Sequence, residues 1–178
     1  MIIVITRPDF FDGEAERIVD MLDSDRADLI HIRKPQSSQS EVEHLLTDIP
    51  SELYSRLVLH DHFSLAVKYG LRGVHLNSRN PQAPSGWSGA VSISCHTFRE
   101  LAKCRRQPYA YMSLSPIFDS ISKRGYLSAF TRDVIAVAHA QRLIDDRVMA
   151  LGGVTFGCVP EVLQMGFGGA MILGDAWR

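Results

Sequence analysis

Two hydroxyls and an ammonium fall within four residues at Ser120, Ser122 and Lys123. Each can donate to an anionic oxygen and the lysine adds charge, so the trio suits a phosphate or diphosphate; a solvated surface loop is the competing reading. The trio follows an apolar, strand-forming run that begins at Tyr109 and meets Pro116, which cannot continue a central strand. A buried strand there delivers the polar cluster at its end. Other apolar runs close in the same way: on Arg33 and Lys34, on His60 and Asp61, on His75 and Asn77, and on Ser94 and His96. Gly152 and Gly153 close another, and Gly174 follows the last. Glycines there allow backbone N–H groups to approach a phosphate closely.

The runs that must position these residues are short and rich in β-branched side chains. They predict strands at 1–6, 27–33, 56–60, 73–77, 90–95, 109–115, 147–151 and 169–173. Helical periodicity separates most of them, at 14–22, 39–49, 62–69, 98–105, 132–144 and 157–165. Near-continuous apolar strands are buried on both faces, as in a parallel sheet covered by helices. Eight strand–helix units predict a single (β/α)8 barrel domain over 1–178, with a doubly wound open sheet as the alternative. Two units depart from the ideal. Pro81, Pro84 and Gly86 break the fourth helix, and little or no eighth helix follows the last strand, so a homo-oligomer is one way to cover the wall left bare. In a barrel the strand ends share one face, where a positive, hydrogen-bond-rich mouth suits an organic phosphate.

A chain of 178 residues at 46% hydrophobic content fits one domain with a substantial core. The net charge of −1 leaves no basic excess for nucleic acid or an anionic membrane, so the expected partners are small phosphorylated molecules. The first apolar run is too short for a signal peptide and no stretch approaches a membrane span, which makes a cytoplasmic location the expectation. Cys95, Cys104 and Cys158 are odd in number and widely spaced, so they predict neither a disulfide framework nor a metal site. His31, His60 and His75 raise the idea of a three-histidine metal site, but without a recognised ligand spacing, neutral structural or substrate-contacting roles are expected instead.

With the strand ends aligned, the chain resembles the thiamine phosphate synthase family, including its TenI-like branch. His-Ile-Arg-Lys-Pro at 31–35 resembles a Gln-x-Arg-x-Lys segment, and His-Asp-His-Phe-Ser-Leu-Ala at 60–66 an Asn-Asp segment entering a helix. Gly-Val-His-Leu at 73–76, Ser-Cys-His-Thr at 94–97, Ser-Pro-Ile-Phe-Asp-Ser-Ile-Ser-Lys at 115–123, Ala-Leu-Gly-Gly-Val at 150–154 and Gly-Phe-Gly-Gly-Ala-Met-Ile at 166–172 follow in family order. The resemblance implies an enzyme that joins hydroxymethylpyrimidine diphosphate to thiazole phosphate and releases diphosphate with magnesium help, chemistry that needs positive charge around a leaving group. It further implies that Arg33, Ser94, Ser120, Ser122 and Lys123 hold the diphosphate and that Asp61 is a Mg2+ ligand. Gly152, Gly153 and the backbone near Gly174 would hold the thiazole phosphate.

The departures sit at the same places. The second magnesium aspartate aligns with Asn80, the lysine with Pro35 beside Lys34, the glutamine with His31, the asparagine with His60, and a serine with Gly174. Asn offers a neutral oxygen where Asp offers a charge, so the Mg2+ is expected to be bridged by substrate. Two other readings accompany the transferase: a TenI-like thiazole tautomerase with His96 as proton shuttle, and a phosphate-binding barrel without turnover. For His96, a hydrogen-bonded histidine near a strand end is the ordinary alternative.

Overall fold

Runs such as Ile-Ile-Val-Ile, Leu-Val-Leu and Val-Met-Ala-Leu can hide both faces only inside a parallel sheet, and that is where the computed structural model puts them. It describes residues 1–119 and 130–178. The strands are β1 (Ile2–Ile5), β2 (Leu29–Ile32), β3 (Leu57–Leu59), β4 (Gly73–Leu76), β5 (Ala90–Cys95), β6 (Tyr111–Leu114), β7 (Val148–Leu151) and β8 (Gly169–Ile172). They close in chain order into an eight-stranded parallel barrel, the expected α/β fold.

Helices α1 (Glu14–Asp23), α2 (Gln39–Thr47), α3 (Phe63–Tyr69), α4 (Phe98–Cys104), α5 (Arg132–Ala140) and α6 (Val159–Gln164) alternate with the strands. Their starts follow local chemistry. Ser38 and Glu41 form a capping box at α2, while the Thr97 and Thr131 hydroxyls accept backbone N–H bonds at α4 and α5. Among the described residues no helix joins β4 to β5, and only a 3-10 turn, Gly174–Trp177, follows β8. The end after β8 matches the sequence expectation, while the β4–β5 connection goes beyond the shortened helix expected there. No helix of the described residues is long and apolar enough to cross a membrane.

Register decides which residues act together. Val4 pairs with Ile30, His31 with Val58 and Leu59 with Val74, so His60, one step on, stands level with His75. Because alternate strand residues share a face, His31 and Arg33 project on one side, as do His75 and Asn77. On β5 and β6, Ser94 pairs with Ser113, which puts Ser92, Ser94 and His96 on the same face as Ser113 and Ser115. By packing, the chain divides into two compact units, Ile2–Val91 and Ser92–Arg178 together with Met1.

Candidate active site

In the Ile2–Val91 unit the strand ends carry charged and imidazole side chains. Thr6 ends β1, and its hydroxyl accepts the Arg33 N–H at 2.9 Å, which fixes the backbone from which the Arg33 side chain departs. Burial lowers the guanidinium pKa of Arg33 from its ordinary value; nearby Arg79 adds to this and Asp61 opposes it. Asp61 is gripped by Arg79, whose Nε and Nη2 donate to Oδ1 at 3.2 and 3.1 Å, with Nη2 also 3.3 Å from Oδ2. The turn after β4 sets this up. Asn77 and Asn80 exchange backbone N–H···O bonds at 3.1 Å, and Asn77 Oδ1 accepts the N–H groups of Arg79 and Asn80. A tight Asn-x-x-Asn turn therefore aims Arg79 back across the end of β3. Arg79 was not among the residues singled out from the sequence, where the Asn-Ser-Arg-Asn segment was the available signal.

Asn80 spends its amide hydrogens on the His60 carbonyl at 3.0 Å and on Asp61 Oδ1 at 2.9 Å. At this place the donor set offers one carboxylate, already facing a guanidinium and an amide. That does not suit a magnesium ion held by protein alone. It does suit an ion whose other oxygens come from a diphosphate and water, because Asp61 Oδ2 takes only the longer Arg79 bond.

Lys34, one of the strand-end residues expected to face the mouth and contact substrate, turns inward instead. Its side chain is fully buried, with Nζ donating to both Glu14 oxygens at 2.8 and 2.7 Å and to the Asp9 carbonyl at 2.8 Å. All three ammonium hydrogens are thereby used, and Lys34 braces β2 against α1. Desolvation moves both partners toward neutrality, raising Glu14 and lowering Lys34, while their mutual attraction opposes each shift.

His31, His60 and His75, expected to play neutral structural or substrate-contacting roles, come together. His31 Nδ1 and His60 Nε2 are 2.8 Å apart, the His60 and His75 rings stack at 4.3 Å, and ligand nitrogens of all three lie within 4.8 Å of one another. Burial pushes His31 and His60 well below the ordinary histidine value and His75 down to about 3, so the rings are neutral.

In the other unit the strand ends offer hydroxyls and backbone. Exposed His96 has Nδ1 3.0 Å from Ser115 Oγ, and its N–H donates to Glu100 at 2.6 Å. Ser94 is partly buried on β5 beside Ser113, whose buried hydroxyl has no hydrogen-bond partner among the described residues. Burial pushes the Cys95 thiol up, which fits an inert core cysteine.

Gly152 and Gly153, expected to let a phosphate approach the backbone, are also places where the chain itself packs closely. A Cβ on Gly152 would lie 2.7 Å from Pro116 Cα, and one on Gly153 would lie 2.4 Å from the Asp119 carbonyl. The segment 116–119 packs directly on these glycines, held by Ile117 N–H to Leu151 O and Phe118 N–H to Gly152 O. Gly174 has open space around its Cα, and beside it Asp175 accepts the Phe156 N–H at 3.0 Å, an acceptor role that a ligand phosphate could otherwise fill. Ser120, Ser122 and Lys123 lie outside the described residues.

The thiamine monophosphate synthase family model matches residues 2–174. Thiamine phosphate pyrophosphorylase from Bacteroides thetaiotaomicron is 40% identical, with a TM-score of 0.86 over 99% of this chain and 84% of its own. A curated thiamine-phosphate synthase from Cronobacter sakazakii is 27% identical over 155 residues, covering 81% of this chain and 72% of its own length. The thiamine phosphate pyrophosphorylase of Pyrococcus furiosus, 17% identical with a TM-score of 0.74 over 98% of this chain and 89% of its own, shares the fold. Taken with the closed parallel barrel, these matches show that the chain belongs to the thiamine monophosphate synthase family, enzymes of the diphosphate-releasing transferase class with a role in thiamine biosynthesis.

Proposed function

We propose that this chain couples hydroxymethylpyrimidine diphosphate to thiazole phosphate, forming thiamine phosphate and diphosphate. The observation that carries the reading is the Arg79–Asp61 ion pair at the ends of β3 and β4, set by the Asn77–Asn80 turn, with Arg33 at the end of β2 near enough to feel both charges. Departure of a diphosphate builds negative charge on its oxygens, and preorganised cations there lower the barrier. Arg33 and Arg79 would supply such charge, and Ser120, Ser122 and Lys123 are assigned to the same anion by the family resemblance. Mg2+ bound through the diphosphate, with Asp61 as its protein carboxylate, would neutralise further charge. The thiazole nitrogen then attacks the pyrimidine methylene as the C–O bond to diphosphate breaks.

Incubation of the full chain with both precursors and Mg2+, followed by chromatography for thiamine phosphate, tests the proposal. Product is expected, and Arg79→Ala is expected to lower turnover about 100-fold or more with its melting temperature little changed. Asn80→Asp places a second carboxylate beside Asp61 and should lower the Mg2+ concentration needed. The His96–Ser115 contact favours one second reading, a tautomerase in which His96 moves a proton on a thiazole carboxylate phosphate. Conversion of that tautomer, lost in His96→Ala and without any thiamine phosphate formed from the two precursors, would replace the transferase. Turnover in neither assay would leave a phosphate-binding barrel.

A further inference from the structure

The three buried histidines are a nitrogen donor set to which the transferase reading above assigns no chemical step. We propose that His31, His60 and His75 bind a late first-row divalent transition metal, of the Zn2+ or Co2+ kind, inside the Ile2–Val91 unit.

The geometry comes close to what such an ion needs. With Zn–N bonds of about 2.0–2.1 Å, three imidazoles around one tetrahedral ion place their ring centroids about 5 Å apart and their ligand nitrogens about 3.3 Å apart. Here the centroids are 5.0 Å apart for His31 and His60, 5.1 Å for His31 and His75, and 4.3 Å for His60 and His75. The His31 Nδ1 to His60 Nε2 separation of 2.8 Å is a hydrogen bond, about half an ångström short of a shared ion. For all three rings to point at one ion that contact must open, ligand nitrogens up to 4.8 Å apart must close, and the His60 and His75 rings, stacked at 23°, must turn about their side-chain bonds.

The chemistry also selects the metal class. Nitrogen ligands suit zinc, cobalt, nickel, copper and iron, whereas magnesium and calcium take oxygens, so this place is separate from any magnesium bound through Asp61. Imidazole offers one ring nitrogen lone pair to a metal, and three rings from adjacent strands supply three such donors. The neighbouring charges set a limit: Arg33 and Arg79 act on His60 in the direction that opposes positive charge. They oppose a dication equally, so affinity on the order of micromolar is expected rather than that of thiolate sites.

The test uses the full, untagged chain after removal of metal with a chelator. Titration with Co2+ should give visible d–d absorption that saturates at one equivalent and disappears when Zn2+ is added. Zn2+ should also raise the melting temperature. His60→Gln and His75→Gln should each weaken Co2+ binding at least tenfold. If these variants fail to fold, the imidazole 15N resonances of the wild type decide: three histidines must shift on adding Zn2+. Absence of saturable binding, binding unaffected by both substitutions, or resonances of these three rings that do not move would each overturn the site.

Discussion

The Ile2–Val91 unit arms its strand ends with charges and imidazoles, while the Ser92–Arg178 unit arms its own with hydroxyls and close-packed backbone. The contrast shows two ways to make a strand end specific. A buried or half-buried charge must be answered by a counter-charge, and in the first unit the answers come from far along the chain: Glu14 for Lys34, and Arg79 for Asp61. In the second unit Gly152 and Gly153 leave no room for a Cβ against residues 116–119. The first unit should therefore fail when a charge is removed, and the second when a carbon is added.

The largest expected effect breaks the first arrangement. Lys34→Met leaves the Glu14 carboxylate buried without its partner, and loss of one member of such a pair costs about 3–5 kcal/mol. The double variant Lys34→Met with Glu14→Leu removes both charges and should recover most of that loss. Urea denaturation at pH 7 measures both. A single variant as stable as wild type would show that the buried pair contributes nothing.

Acid should act next, again through the first unit. The three buried imidazoles have folded-state pKa values below the ordinary 6.5, so the unfolded chain binds more protons once the pH falls beneath that value. Stability is fully present above pH 6.5 and is lost as pH drops toward the folded values, by up to about 1.4 kcal/mol per histidine by pH 5.5. His75→Leu should flatten the dependence. A denaturation midpoint that stays constant from pH 7.5 to 5.5 would contradict the neutral triad.

In the second unit the sharper test is a single methyl. Gly153 has φ +66°, and a Cβ there would sit 2.4 Å from the Asp119 carbonyl, so Gly153→Ala adds left-handed strain to a backbone collision. A loss of about 2–3 kcal/mol is expected, against about 0.5 kcal/mol or less for Gly174→Ala, whose Cβ meets nothing within 4 Å. Equal effects at the two glycines would mean that the 116–119 segment moves aside freely.

These contrasts also mark what was legible in the sequence. Apolar runs and helical periodicity are local, and every strand formed inside its predicted span, Leu29–Ile32 within 27–33 and Val148–Leu151 within 147–151 among them. Helix ends were less legible: α5 stops at Ala140, four residues before the predicted end, and Arg142 follows with φ +57°. The 3-10 turn Ser51–Arg56 carried no periodic signal and was missed. Of the site, the period-two spacing of His31 with Arg33 and of His75 with Asn77 was readable. The Lys34–Glu14 pair was not, since it depends on how α1 packs against β2, and Arg79 was hidden because its aim depends on one turn. Gly152 and Gly153 are legible as places of close approach, and among the described residues the segment 116–119 is one group that approaches them.

The smallest effect concerns the paired serines of the second unit. Ser115 Oγ bonds His96 at 3.0 Å, while Ser113, two residues earlier on β6, buries a hydroxyl that meets no partner among the described residues. A buried donor left unmade costs about 1–3 kcal/mol, whereas a made hydrogen bond contributes about 0.5–1.5 kcal/mol. The two alanine substitutions should therefore differ in sign. Ser115→Ala should lower stability by up to about 1 kcal/mol, and Ser113→Ala should leave it unchanged or raise it by a similar amount. Thermal unfolding of the two variants side by side checks the sign. If Ser113→Ala proves the more destabilising, its hydroxyl has a partner, and the second unit depends on a hydrogen-bonded network as the first depends on paired charges.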